Sequence, residues 1–154
     1  MRRNERNISE IKEIEDIILK SDVCRIALAN ENIPYIITLN FGYMGSPVRR
    51  LYFHCANEGR KLDMISRNSF VCFEMDINHH IFTGVKGCDW GMKYSSVIGY
   101  GNILILTEPD LKKEGLDCIM RHYGGDKEYQ YDNKVFERTN ILRLDITEMN
   151  GKKC

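Results

Sequence analysis

The chain has 154 residues, 43% of them apolar and 29% charged, with no formal net charge and a pI near 6.9. That profile fits an ordinary globular domain able to bury a real core, and it excludes a general pull toward nucleic acid or an anionic membrane surface. No apolar run nears the roughly 18 residues of a bilayer span, and no apolar stretch follows the basic start Met1-Arg2-Arg3-Asn4-Glu5-Arg6, so neither anchor nor signal peptide is expected and the chain reads as cytoplasmic.

Taken in order, Asn7-Ile8-Ser9-Glu10 offers an N-cap with a loose capping box, and Ile8, Ile11, Ile14, Ile17 and Ile18 recur at helical spacing up to Lys20-Ser21-Asp22. Val23–Ala29 reads as a strand, and Asn30-Glu31-Asn32 turns it into a second one from Pro34. Along that strand Ile37, Leu39 and Phe41 fall on an apolar face while Thr38 and Asn40 fall on the other, because side chains alternate. Met44-Gly45-Ser46-Pro47 is the next turn, leading to a strand that ends at His54, and three strands joined this closely are expected to be antiparallel neighbours. A short helix is predicted over Arg60–Arg67, and Phe70–Asp76 is strand again, with Val71, Phe73 and Met75 on one face.

Residues 78–89 lack a period and read as an irregular excursion. Tyr94–Leu106 is a long strand whose Gly99 and Gly101 mark a bend or bulge. Thr107-Glu108-Pro109-Asp110 opens a helix, with Leu111, Leu116, Ile119, Met120 and Tyr123 on its buried side and Gly124-Gly125 as its stop. Asp126–Asp132 is polar loop. Leu142, Leu144 and Ile146 alternate with polar residues in a last strand, and Asn150–Cys154 reads as a frayed tail. With no repeat or linker, residues 1–154 form one domain, mainly β: a closed or split β-barrel of about six antiparallel strands with peripheral helices.

Three constellations carry chemistry. Gly59-Arg60-Lys61 opens the short helix, where two cations oppose the helix dipole; they are ordinary surface charges or the grip on an anion such as a phosphate. His54 is a structural strand-end histidine, a group holding a substrate carboxylate, or an iron ligand. Cys88–Val97, with the only tryptophan, Trp90, plus Lys93, Tyr94, Ser95 and Ser96, either walls a flat ligand or caps the barrel. No Ser-His-Asp set or close carboxylate pair points to hydrolysis. The six cysteines include no Cys-x-x-Cys pair; a zinc site from Cys72, His79, His80 and Cys88 fits no common spacing, which favours free thiols and no metal.

The segments Asp22–Leu28, Pro34–Gly42, Leu51–Lys61 and Tyr94–Gly101, in this order, resemble the pyridoxamine 5′-phosphate oxidase-like flavoproteins, in particular the nitroimidazole-resistance subgroup. The resemblance runs from about Arg3 to Gly151, and its most specific part is His54-x-Ala56-x-x-Gly59-Arg60-Lys61. It implies an FMN-binding split barrel, a homodimer with the flavin between subunits. By position, Arg60 and Lys61 would hold the FMN phosphate, and Ile37, Thr38, Leu39 and Asn40 would border the isoalloxazine. Tyr94, Ser95 and Ser96, with Lys93 from the partner subunit, would complete the pocket, and His54 would face the substrate. The last strand, Leu142-Arg143-Leu144-Asp145-Ile146, departs from the Arg-Leu-x-Pro of true pyridoxamine phosphate oxidases, so the resemblance implies a reductase of nitroaromatic or other small acceptors. Two alternatives stand beside it: the same barrel holding haem through His54 or a neighbouring histidine, and a flavin-binding module without turnover.

Overall fold

The structure, a computed structural model, describes residues 4–154; the basic residues Met1–Arg3, and with them the first residue of the family resemblance, lie outside the described residues. The chain runs β1 (Asn7–Ile8), α1 (Ile11–Lys20), β2 (Cys24–Asn30), β3 (Ile33–Leu39), β4 (Phe41–Met44), β5 (Arg50–Ala56), α2 (Arg60–Arg67), β6 (Phe70–Phe82), β7 (Gly91–Leu106), α3 (Pro109–Gly124), α4 (Asn133–Glu137) and β8 (Thr139–Lys153). Among the described residues eight strands, against about six expected, make one antiparallel sheet in the order β3-β2-β6-β7-β8-β5-β4, with β1 added beside β8. The sheet is mainly responsible for the fold and does not close by hydrogen bonds.

Its concave face fills from every side. Ile26 and Leu28 of β2, Phe41 of β4, Leu51 and Phe53 of β5, Val71, Phe73 and Met75 of β6, Val97 and Ile103 of β7, and Leu142 and Leu144 of β8 pack into one cluster with Ile14, Ile17 and Ile18 of α1. The alternation read from β6 and β8 is therefore the alternation that folds the chain. A second, smaller cluster of Tyr52, Leu106, Cys118, Ile119 and Ile141 sits on the convex face under α3.

β3 and β4 are consecutive in sequence yet occupy opposite edges of the sheet, separated by Asn40 alone. The expected three-strand meander is thus broken: β3 pairs with β2, and β4 pairs with β5. α3 fixes the break. The Phe41 N–H donates to the Tyr123 hydroxyl at 3.1 Å, and that hydroxyl donates to the Asp22 carbonyl at 2.8 Å. At Gly42 the α3 backbone comes so close that a Cβ would lie 2.4 Å from the Cys118 carbonyl carbon. The two open edges are therefore joined through one residue, which is what splits the barrel.

Several local expectations change. Glu10 rather than Asn7 precedes α1 with no side-chain cap, so the expected capping box does not form, and Glu108 precedes α3 likewise without a side-chain cap. The buried face of α3 is Lys112, Gly115, Cys118 and Ile119, while Leu111 and Tyr123 are exposed. Residues 78–82 are not irregular: β6 passes a register shift at Asn78, whose φ is +61°, and pairs on with Gly91–Lys93 as an exposed two-stranded arm. The tail is not frayed either, since Asn150–Lys153 belong to β8 and pair with β7 and β1. The Asn30–Asn32 turn, the Pro109 start and Gly125 stop of α3, and the irregularity at Tyr100/Gly101 are as the sequence predicts. No helix among the described residues is long and apolar enough to cross a membrane.

Candidate functional site

The first half of the site is the corner where β5 ends and α2 begins. Gly59 sits at φ +125°, a conformation side chains beyond glycine resist, and it swings the chain so that its carbonyl accepts from the Leu62 N–H at 2.9 Å. Among the described residues no side chain caps this N-terminus, so the Arg60 and Lys61 N–H groups stay available beside their own cationic side chains. The Arg60 guanidinium lies 4.6 Å from the centroid of the Tyr35 ring on β3, which holds the cation over the edge strand. Tyr35 was not singled out from sequence, although its place two residues before Ile37 put it on the same face. Lys61 is half-buried near the Cys55 thiol, whose pKa burial raises and the Lys61 charge lowers in part.

Across this corner runs the end of β3. Ile37 and Leu39 are half-buried against the core, while Thr38 and Asn40 face solvent. Because β3 is an edge strand, one row of its N–H and C=O groups is unspent by the sheet. Phe41 pairs with Phe53, so their neighbours Asn40 and His54 flank the same point of the ladder, and the His54 ring is exposed there. Thr38, Leu39, Asn40 and His54, with Ile37 behind them, thus lie together where β3 passes into β4, and Arg60, next to Lys61, reaches β3 at Tyr35.

The second half lies elsewhere on the sheet. Ser95 and Ser96 are buried in β7, opposite Ile77 and Asp76 of β6. Tyr94 is half-buried; its hydroxyl accepts from Lys152 Nζ at 3.2 Å, and its carbonyl accepts from the Cys154 N–H at 2.8 Å. Sequence reading missed Lys152 because the tail looked too polar to be ordered. Lys93 is exposed on the arm opposite His80, and Trp90 sits at the arm's end, its indole N–H donating to the Gly84 carbonyl at 2.9 Å; it does not cap the barrel. Within one chain the two halves do not meet: Thr38, Arg25, Glu74 and Ile98 follow one another across four strands, three steps of about 4.8 Å each.

Between the halves lies a charge cluster that the sequence did not reveal. Arg25 donates to Glu74 at 3.1 Å and to Asp76 at 2.6 Å, and His79 Nε2 lies 2.5 Å from the other Asp76 oxygen. Burial pushes the Asp76 carboxyl up, but the bonds from His79 and Arg25 outweigh it and leave the group below the usual range. Glu74 moves the other way, through burial and the Asp76 charge. No three His, Cys, Asp or Glu side chains among the described residues are grouped as a metal ion requires. All six cysteines are free; Cys24, Cys55 and Cys118 are buried.

The family model of pyridoxamine 5′-phosphate oxidase matches residues 10–153. A candidate 5-nitroimidazole antibiotic resistance protein from Bacteroides thetaiotaomicron superposes with a TM-score of 0.83 at 30% identity, over 96% of this chain and 86% of that one. An FAD- and haem-binding protein from Mycobacterium smegmatis superposes at 0.84 with 15% identity, over 96% and 73%. The flavocytochrome Anf3 from Azotobacter vinelandii does so at 0.83 with 15% identity, over 100% and 72%. The last two likenesses establish the fold alone. No curated protein matches the chain.

Proposed function

Since the chain belongs to the pyridoxamine 5′-phosphate oxidase family of flavin-binding split barrels, we propose that it is an FMN-dependent oxidoreductase that reduces nitroaromatic or other small acceptors. The observation that carries this reading is the corner at Gly59: an uncapped helix N-terminus, two cations against the dipole and an edge strand with unspent backbone groups. A phosphate fits the first two and the polar rim of a flavin ring fits the third. Arg60 and Lys61 would bind the phosphate, with Tyr35 holding Arg60 in place. Ile37–Asn40 would border the ring, and His54 would orient an acceptor at the open side. Bound flavin supplies the electron transfer itself, which agrees with a site poor in nucleophiles and general bases.

Arg143 supports a small acceptor over a vitamin B6 phosphate. Its guanidinium is largely buried and pairs with Asp145 at 2.9 Å, so that end of the side chain is held within the sheet rather than offered to a substrate. The reading also includes a homodimer in which Lys93–Ser96 of one copy complete the corner of the other. Its support is the separation of the two halves and the uncovered convex face of β3-β2-β6-β7, where Ile36, Phe70, Ile98 and Leu104 are exposed. Native mass spectrometry with an absorption spectrum tests the proposal. A flavin band, a dimer mass and bleaching by NADH or NADPH with a nitroaromatic acceptor are expected. A Soret band would replace it with a haem protein, flavin without turnover with a binding module, and a colourless, flavin-indifferent monomer would end it.

A further inference from the structure

We propose that the open cavity between the first turns of α3 and residues 128–136 is a second ligand site, for a small molecule that joins a flat ring to a protonated amine. The inference stands apart from the flavin reading, because none of the residues of the Gly59 corner lines this cavity. Its volume is about 530 Å³, inside the range of roughly 300–1,000 Å³ that small-molecule sites occupy. One wall is aromatic: Tyr129, Tyr131 and Phe136, each half-buried, line it with Pro109. Specific bonds hold that wall in place. The Tyr129 hydroxyl lies 3.2 Å from the Met120 carbonyl and 3.0 Å from the Gly125 carbonyl, both of which accept from it, and the missing side chain of Gly124 makes room for it. The Tyr131 hydroxyl donates to Asp117 at 2.7 Å, and Asp132 caps α4 by accepting from the Val135 N–H at 3.1 Å. Both phenol hydroxyls are thus spent on α3 and its C-cap, and the rings offer the cavity their carbon surface.

The charges around this wall do not balance. Lys113, on the lining, is spent on Asp117, its ammonium 2.8 Å from the carboxylate. Asp110 and Glu128, also on the lining, enter no ion pair among the described residues. Two further lysines are engaged elsewhere and do not line the cavity. Lys112 is buried, its Nζ donating to the Phe136 carbonyl at 2.9 Å, and the Lys127 ammonium stands 5.3 Å from the Tyr129 ring centroid. Two unspent carboxylates beside three rings select the ligand. An anion meets uncompensated like charge, and a neutral ring leaves both carboxylates without a partner. A protonated amine pairs with them and gains from the ring quadrupoles, while a flat ring covers the aromatic wall. The Gln130 and Asn133 amides, each able to donate and accept, suit a polar substituent on that ring.

Calorimetric titration of the full chain, with whatever flavin it carries, compares three probes that share one ring: tyramine, neutral 4-ethylphenol and anionic 3-(4-hydroxyphenyl)propionate. Tyramine is expected to bind about tenfold more tightly than 4-ethylphenol, and the propionate to give no measurable heat. Asp110→Asn and Glu128→Gln should each weaken tyramine about three- to fivefold and leave 4-ethylphenol where it was. Both exchanges keep the side chain's shape on an exposed position, so the urea midpoint should hold. Amide shifts on adding tyramine should gather at residues 109–113 and 128–136. Equal affinity for tyramine and 4-ethylphenol, either variant leaving tyramine unchanged, or shifts gathered at Arg60 and Lys61 instead would overturn the assignment. None of these outcomes bears on flavin binding, which the spectrum reads separately.

Discussion

Replacing Lys61 by alanine separates a phosphate grip from an ordinary helix start. Lys61 is half-buried at the uncapped end of α2, beside N–H groups that no protein side chain satisfies. A hydrogen bond to a charged group contributes about 1.5–3 kcal/mol net, and each 1.4 kcal/mol is tenfold in affinity, so Lys61→Ala should weaken FMN binding by about 10- to 150-fold. Arg60 is more exposed, so its loss alone should fall at the lower end of that range; the double variant should lose more than either. Riboflavin lacks the phosphate and supplies the internal control: its affinity should not move. Quenching of flavin fluorescence on titration reads both constants. Surface substitutions away from caps and packing usually stay within ~0.5 kcal/mol, so the urea midpoint should hold. Unchanged FMN affinity, or an equal loss for riboflavin, would refute the assignment.

Gly42→Ala should destabilise the protein by about 2–3 kcal/mol or more, because the new Cβ meets α3 backbone at 2.4–2.6 Å and backbone cannot rotate aside; a lowered urea midpoint with an intact far-ultraviolet spectrum is the expected readout. Stability should also fall in alkali. Burial pushes the Cys118 thiol up from 9.0 to about 11, and burial with the Glu114 contact pushes the Tyr52 phenol up from 10.0 to about 12. The unfolded chain therefore releases these protons first, so stability is full below pH 9 and declines between pH 9 and 12, by about 2–3 kcal/mol for Cys118; urea melts at pH 8 and pH 11 compare the two, and Cys118→Ala should reduce the difference by about that amount, Tyr52 and the buried Cys24 keeping the rest. In thiol titration of the native protein Cys88, exposed on the arm, should react first, whereas Cys24 and Cys118 should react only on unfolding.

What could be read from the sequence was local. The start of α2 at Arg60, the Pro109 and Gly125 boundaries of α3, and the turn at Glu31 and Asn32, with φ of +50° and +62°, each follow from one or two residues whose backbone preferences are strong. The inward faces of β6 and β8 followed from simple alternation. What stayed hidden was set by distant partners. Lys152 and Lys153 look like solvated tail, yet their backbone is spent on β7 and β1, and Gly151 makes room there for Ile8 and Ile14. The arm needed a positive φ at Asn78, which asparagine tolerates but does not announce.

Asn40 is the deepest of these omissions and the one closest to function. Alternation runs unbroken through Ile37, Leu39 and Phe41, so the pattern gives the face of each side chain but not the identity of the neighbouring strand. Had β3 gone on pairing with β5, its outer backbone groups would have been consumed by the ladder and the corner beside Arg60 and Lys61 would have been sealed. Instead Tyr123 and the close approach at Gly42 draw β4 away under α3, and β3 is left as an edge. An unpaired edge is ordinarily a liability for aggregation. Here Arg60, stacked on Tyr35 of that strand, and its neighbour Lys61 enter no ion pair among the described residues, so a planar ligand with polar rim atoms and a phosphate tail would satisfy the edge and the charges together. The contact that splits the barrel would then also open the site proposed for the flavin, and substitutions at Tyr123 should weaken flavin binding without touching the ligand.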